Sequence, residues 1–331
     1  MPPPTRRRVQ ITATASCVPQ RILSNADLEK MVETDDDWIM QRTGIRERRI
    51  AADGEGPSDL GAGAVRTLLD RANTRPEQVQ LIACATSFPD HLFPSTAALI
   101  QHKTACVNAG AFDINSACTG FVTALSVGWQ FVANGVYDRV VVIGTETLSK
   151  IVNYKDRSTC IIFGDGAGAV LLEPSKGESD ILHCELKADG GQGEHVILPA
   201  GGALKPGHKL NGDAEEYFIH MNGRAVYKFA VNKFVELTEN AAAACGLKVE
   251  DIDLLVPHQV NLRIIESAVE KLGIPMERVV VNIHKYGNTS SASVPVALDE
   301  AHSAGRFRRG DHLVLVAFGG GLTWGSVALR F

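Results

Sequence analysis

The 331-residue sequence predicts an α/β protein with covered sheets, built from a duplicated unit. Two observations carry this. Short β-branched runs such as VQLIACATSF, AGAFDIN and YDRVVVIGTE alternate with segments of helical period such as STAALIQHK, the pattern of strands buried on both faces by the helices that connect them. Laying the chain on itself aligns PEQVQLIACATS near Leu81 with VEDIDLLVPHQV near Leu254, and YDRVVVIGTET at Asp138 with GDHLVLVAFGG at Asp311, both 173 positions apart. Agreement at one fixed offset marks a repeated structural unit. The same register sets Asn115 against Asn288 and Cys118 against Ser291. No low-complexity linker cuts the chain, so the halves, 1–176 and 177–331, are expected to pack about a pseudo-twofold axis that brings their strand ends to one junction.

Composition narrows the function classes. A 45% hydrophobic chain of this length can bury one large core or two ordinary ones. The net charge is −5 with acids and bases well mixed, which argues against a nucleic-acid groove or a polyelectrolyte tail. The start, MPPPTRRRVQITATASCVP, has no apolar run of signal-peptide length, and no later run is long enough to span a membrane; a cytoplasmic location with no membrane partner is expected. Seven cysteines are scattered and never closely paired, so neither a metal site nor a disulfide framework is expected, and a reactive one must be found by its surroundings.

Along the first half, the apolar strand DIN leads into a segment whose apolar residues Phe121, Val122, Leu125, Trp129 and Val132 form a helical stripe, stopped by Asn134-Gly135. This predicts a helix beginning at Cys118, where N–H groups and the helix dipole favour a thiolate. A buried packing cysteine would occupy the same place, so its partners must decide. After YDRVVVIGTET the first half carries an extra segment, LSKIVNYKDRSTCII, before FGDGAGAVLLEP, whereas the second runs directly through GGGLTWGSVALRF; the insertion marks a site-specific loop.

In the second half, DLLVPHQVNLRI places His258 just past a strand and Pro257, at the strand end where α/β sheets hold their sites. HKYGNTSSASVP puts Asn288 in a polar turn before a helix, the repeat counterpart of the Cys118 turn. AFGGGLTWG has three successive glycines, Gly319 to Gly321, which leave room for a substrate and let backbone N–H groups point inward. Each feature alone is ordinary turn or core chemistry; the repeat is what lets them converge.

These stretches resemble the β-ketoacyl-[acyl-carrier-protein] synthase III family of the thiolase-like superfamily. DDDWIMQRTGIRERRI, INSACTGF, YKDRSTCIIFGDGAGAVLL, LVPHQVNLRII, YGNTSSASVPVALDEA and AFGGGLTWGS all carry the likeness, in order and over nearly the whole length. The resemblance implies a five-layered αβαβα duplication assembled as a homodimer, and condensation of an acyl-CoA primer with malonyl-acyl-carrier protein, without metal or other cofactor, initiating fatty acid biosynthesis. Cys118 would carry the acyl group, and His258 and Asn288 would donate hydrogen bonds to the malonyl thioester. The N–H groups of Cys118 and Gly320 would hold the tetrahedral oxyanion, with Phe318 beside the sulfur.

The resemblance further implies that Trp38 and Arg157 sandwich the coenzyme's adenine, that Arg42 and Asn261 make neighbouring contacts, and that Lys228, Arg263 and Lys271 dock the acidic carrier. Glu270, where many relatives have lysine, thins that patch. Phe93 would reach across the dimer to close the partner's acyl pocket. Asn115, Ser116, Thr119 and Tyr227 depart from common family residues and leave the primer open between acetyl and branched or medium-chain groups.

The same logic separates neighbours. AFGGGLTWG lacks the second cysteine of a biosynthetic thiolase, and Asn288 stands where elongating synthases have a second histidine. Two other readings are weighed: a same-fold acyltransferase or ketosynthase for a special starter in a secondary pathway, and a cysteine hydrolase, whose chain order of Cys, His and Asn this sequence shares without its Cys-Gly-Ser-Cys-Trp neighbourhood. A non-catalytic acyl-binding protein would leave all three polar residues idle.

Overall fold

The computed structural model describes residues 6–209 and 214–331. Its first sheet uses β1 (Val9–Cys17), β2 (Leu81–Ala85), β3 (Gly110–Ile114), β4 (Val140–Thr147) and β5 (Asp165–Pro174), in the order β1-β5-β4-β2-β3. The second uses β6 (Asp180–Ala188), β7 (Leu254–Pro257), β8 (His312–Gly319) and β9 (Thr323–Arg330), in the order β7-β8-β9-β6. In both sheets a parallel pair, β2 with β4 or β7 with β8, is extended by antiparallel partners. Read from the other end, the second sheet repeats the first. The place of β3 is taken by a single parallel bridge between Leu255 and Val279.

Six helices complete the layers: α1 (Pro57–Arg71), α2 (Thr96–Lys103), α3 (Gly120–Ala133), α4 (Gly223–Ala244), α5 (Leu262–Leu272) and α6 (Ser293–Ser303). Alternation along the strands shows how they stack. On β4, Val140 and Val142 face one buried cluster while Val141 and Ile143 face another; on β8, Leu313, Leu315 and Ala317 point to the former and Val314, Val316 and Phe318 to a third. The shared cluster contains Phe121 and Leu125 of α3 and Val294 and Leu298 of α6, so these helices lie between the sheets. Helices α1 and α2 cover the outside of the first sheet, and α4 and α5 the outside of the second. Strands buried on both faces need no polar alternation, which is why they read as continuous apolar runs.

The two central helices meet the sheets through matched turns. Ala117–Thr119 and Ser290–Ala292 each form a 3₁₀ turn, followed by α3 and α6. Ala117 (φ 44°) and Ser290 (φ 48°), again 173 positions apart, both take a left-handed conformation that costs a side-chain-bearing residue free energy and recurs at functional turns. The helix expected from Cys118 therefore begins at Gly120, and the cysteine sits in the preceding tight turn. Each turn packs on the other half's central strand. A Cβ added to Gly319 would lie 2.7 Å from the Cys118 Cβ, and one on Gly144 would lie 2.2 Å from the Ser291 carbonyl oxygen. Only glycine permits this cross-packing.

Candidate active site

A cavity of about 430 Å³ opens at the junction of the two halves, lined by Cys118, His258, Asn288, Phe318 and Gly320. The structure thus brings together the five residues expected at the reacting centre. The Cys118 thiol is half-buried, its open side facing this cavity, and loss of water around it pushes its pKa up to about 11. The Ser290 hydroxyl pulls the other way, the Glu146 carboxylate adds to the rise, and the backbone N–H groups of Cys118 and Gly320 pull down again. The balance corrects the sequence expectation of a stabilised thiolate: burial outweighs the turn's donors, and Cys118 rests as a thiol.

His258 lies immediately beyond β7 and is fully buried. Its backbone N–H donates to the Val316 carbonyl at 2.7 Å, and its ring meets the Phe318 ring edge to face, with centroids 5.8 Å apart. Among the described residues, neither ring nitrogen has a hydrogen-bond partner. Burial lowers its pKa to about 3, so the imidazole is neutral at pH 7 and has one N–H to donate.

Asn288 is held from three sides. Its backbone N–H donates to the Ile162 carbonyl at 2.9 Å, its carbonyl accepts from Gly164, and its Oδ1 accepts the Ser290 N–H at 2.8 Å. With Oδ1 engaged, the amide NH₂ is left for the cavity. The segment predicted as an insertion supplies this support, because Ile162 is the last residue of LSKIVNYKDRSTCII, Gly164 lies just past it and Phe163 bridges Asn288.

Four supporting residues escape sequence reading. Gln259, buried, accepts the backbone N–H groups of Asn282 and Ile283 on Oε1 and donates from Nε2 to the carbonyls of Pro257 and Val280. It ties the His258 loop to the segment that leads to Asn288. Ser290, Ser87 and Glu146 lie behind the cysteine, with Glu146 fully buried. The repeat offered a signal for Ser290, which aligns with Ala117; Ser87 and Glu146 had none, since their partners are distant in sequence.

A second cavity of about 340 Å³ adjoins the first through Met221, Val226 and Val260. Trp38, Arg42, Arg157, Asn261 and Arg263 line it. Trp38 lies in the first turn of the Asp36–Thr43 helix, whose cap Asp35 accepts the Trp38 N–H. The guanidinium carbons of Arg42 and Arg157 lie 5.0 and 5.1 Å from the indole centroid, within cation–π range. Asn261 caps α5 and donates from Nδ2 to the Arg42 carbonyl at 2.8 Å.

Arg263, expected on the docking surface, also belongs to this mouth, 6.0 Å from the Tyr227 ring centroid. Lys228 and Lys271 are exposed and outside both cavities. Phe93 is 86% exposed and apart from its own chain's cavity. Among the described residues, no group of three or more His, Cys, Asp or Glu side chains could hold a metal ion, and no helix is long and apolar enough to cross a membrane.

Two α/β sheets interleaved with three helical layers, with a cysteine turn on the duplication axis, define the thiolase-like class. The models described as 3-oxoacyl-[acyl-carrier-protein] synthase III and its C-terminal region match residues 112–190 and 242–331. β-Ketoacyl-[acyl-carrier-protein] synthase III of Symbiobacterium thermophilum is 50% identical over 325 residues, 98% of each chain. Among solved structures, 3-oxoacyl-[acyl-carrier-protein] synthase III from Aquifex aeolicus superposes with a TM-score of 0.91 at 44% identity, covering 98% of this chain and 100% of that one. The Thermus thermophilus β-ketoacyl-[acyl-carrier-protein] synthase III gives 0.90 at 43%, covering 97% and 99%. The chain belongs to the β-ketoacyl-[acyl-carrier-protein] synthase III family.

Proposed function

We propose that this protein condenses an acyl-CoA primer with malonyl-acyl-carrier protein, releasing CoA and CO₂ and yielding 3-oxoacyl-acyl-carrier protein, the initiating step of fatty acid biosynthesis. The observation that carries the reading is the convergence of Cys118, His258 and Asn288 on one cavity where the duplicated halves meet. Cys118 attacks the primer thioester, CoA leaves, and the acyl group stays on sulfur. Malonyl thioester then enters, and loss of CO₂ leaves an electron pair on carbon, so no strong base is needed. As negative charge develops on the thioester oxygen, the neutral His258 N–H and the Asn288 NH₂ donate to it. The enolate carbon attacks the acyl-cysteine, the N–H groups of Cys118 and Gly320 hold the oxyanion, and its collapse frees the sulfur. Phe318 and the surrounding apolar wall keep water from the thioester.

In the same reading Trp38 and Arg157 open to take the adenine between them, and Arg42 and Asn261 fix the nucleotide end. Arg263, Lys228 and Lys271 attract the acidic carrier to the mouth. The two halves, 1–176 and 177–331, are the units of the duplication. Two chains form a homodimer in the cytoplasm, supported by the exposure of Phe93 and by β3, whose outer edge pairs with no strand among the described residues; each Phe93 closes the partner's acyl pocket. Intact mass spectrometry after exposure to acyl-CoAs from acetyl to decanoyl, with peptide mapping and a malonyl-carrier chase, tests the assignment. One adduct on the Cys118 peptide, discharged to a ketoacyl-carrier product, is expected; absence of any adduct on folded protein overturns it.

A further inference from the structure

Cys118 rests as a thiol, so acylation must dispose of a proton. A continuous line of groups leads from the sulfur into the protein. Ser290 lines the same cavity as Cys118 and its hydroxyl lowers the thiol's pKa, the Ser290 and Ser87 oxygens are 3.3 Å apart, and the Ser87 hydroxyl donates to Glu146 Oε1 at 2.8 Å. The Ser87 N–H also donates to both Glu146 oxygens, at 3.0 and 3.1 Å.

The far end of this line accommodates two protonation states. The Ser291 hydroxyl is within reach of two acceptors, Glu146 Oε1 at 2.8 Å and the Ala85 carbonyl at 3.0 Å. Donating to Glu146, it satisfies an ionised carboxylate; turned to Ala85, it exposes its own oxygen to a protonated one. Burial raises the Glu146 pKa, and what holds it down are hydrogen bonds from Ser291 and Ser87. Its titratable neighbours are the Cys118 thiol and the Cys84 thiol, the latter also facing Asp113 and Asp90. A thiolate beside ionised Glu146 would enclose two negative charges, whereas moving the proton between them keeps one.

We propose that Ser290, Ser87 and Glu146 form a proton relay in which Glu146 takes the Cys118 proton as the thiol is acylated, holds it while the acyl group is on sulfur, and returns it when the sulfur leaves. This rests on Cys118 being the acyl carrier. On acylation the sulfur–carbon bond forms and the S–H proton passes to Ser290 Oγ. The Ser290 proton passes to Ser87 Oγ, and the Ser87 proton to Glu146 Oε1. The departing CoA thiolate, with a pKa near that of an ordinary thiol at about 8.5, takes its proton from water. Each acyl group loaded at neutral pH therefore takes one proton from solvent; direct transfer from Cys118 to CoA would take none.

The test combines a pH-indicator dye in weakly buffered solution with intact mass of the same sample, using the whole protein and its preferred acyl-CoA. About one proton taken up per Cys118 adduct is expected in the wild type. In Glu146→Gln we expect no uptake, with acylation at pH 7 at least tenfold slower and its rate rising toward higher pH. Ser87→Ala should behave alike and Ser87→Thr, which keeps the hydroxyl, should restore both readouts; this pair decides if Glu146→Gln does not fold. Acylation without proton uptake in the wild type overturns the relay and leaves the nucleophile standing. No adduct on Cys118 at all overturns the nucleophile and the relay with it.

Discussion

A thiol at the head of a helix is activated only when the turn's donors outweigh the water it has lost, and at Cys118 they do not. The residue is set up for attack by geometry: a left-handed Ala117 turns the sulfur into the cavity mouth of the junction, and Gly319 leaves it space. Asn288 shows the complementary arrangement, with Oδ1 committed to the Ser290 N–H so that only its donor face remains free. In the proposed mechanism, replacing it by alanine removes one donor at the developing oxyanion, worth about 3 kcal/mol, or roughly a hundredfold in rate. Asn288→Ala should therefore lose condensation by that factor while Cys118 is still acylated by acyl-CoA, which separate assays of the two half-reactions will resolve. In the proposed function Trp38, which lines the second cavity, acts on binding alone. Trp38→Ala should raise the KM for acyl-CoA by about tenfold, the value of one good stacking contact, with kcat little changed.

Among the elements, the decisive one is a loop rather than a helix. Among the described residues none hydrogen-bonds the His258 ring nitrogens, so the ring's orientation depends on the Phe318 contact and on the backbone at Pro257 and Gln259. Gln259→Ala would leave two buried N–H groups and two buried carbonyls each without a partner, and about 1–3 kcal/mol is the usual cost of one such group. The variant should melt several degrees lower and lose kcat in condensation more than it raises KM, a split that steady-state kinetics at a temperature below its melting point will show. The insertion between β4 and β5 has a comparable role on the other side. It breaks the repeat, and its residues line the cavity and brace Asn288.

At the scale of the whole molecule, the buried His258 makes stability depend on pH. Its folded pKa of about 3 lies below the ordinary histidine value, so between the two the unfolded chain binds a proton that the folded one does not. The stability it allows is complete above about pH 6.5 and is lost as pH falls toward 3. His258→Gln, which cannot titrate, should show a flatter acid limb in melting temperature against pH; an unchanged limb would place the acid sensitivity elsewhere. The exposed Phe93 and the edge strand β3 predict a native mass of twice the chain's 35.5 kDa. Sedimentation equilibrium of the native protein checks this, and a single-chain mass would remove the trans role of Phe93.

The duplicated α/β plan, the cysteine turn, His258, Asn288 and the glycine run were legible in the sequence, because each rests on local chemistry or on a pattern that repeats at a fixed offset. The start of α3 was misjudged by two residues, since a periodic apolar stripe marks which residues face the core and says nothing of a 3₁₀ turn before the first full helical hydrogen bond. Only the tertiary structure decided the state of the thiol and the surroundings of Glu146. Both depend on how completely water is excluded and on donors from Ser87, Ser290 and Ser291, which come from distant parts of the chain. Solvation and long-range hydrogen bonds leave no period in a sequence, so they become visible only where the two halves close on each other.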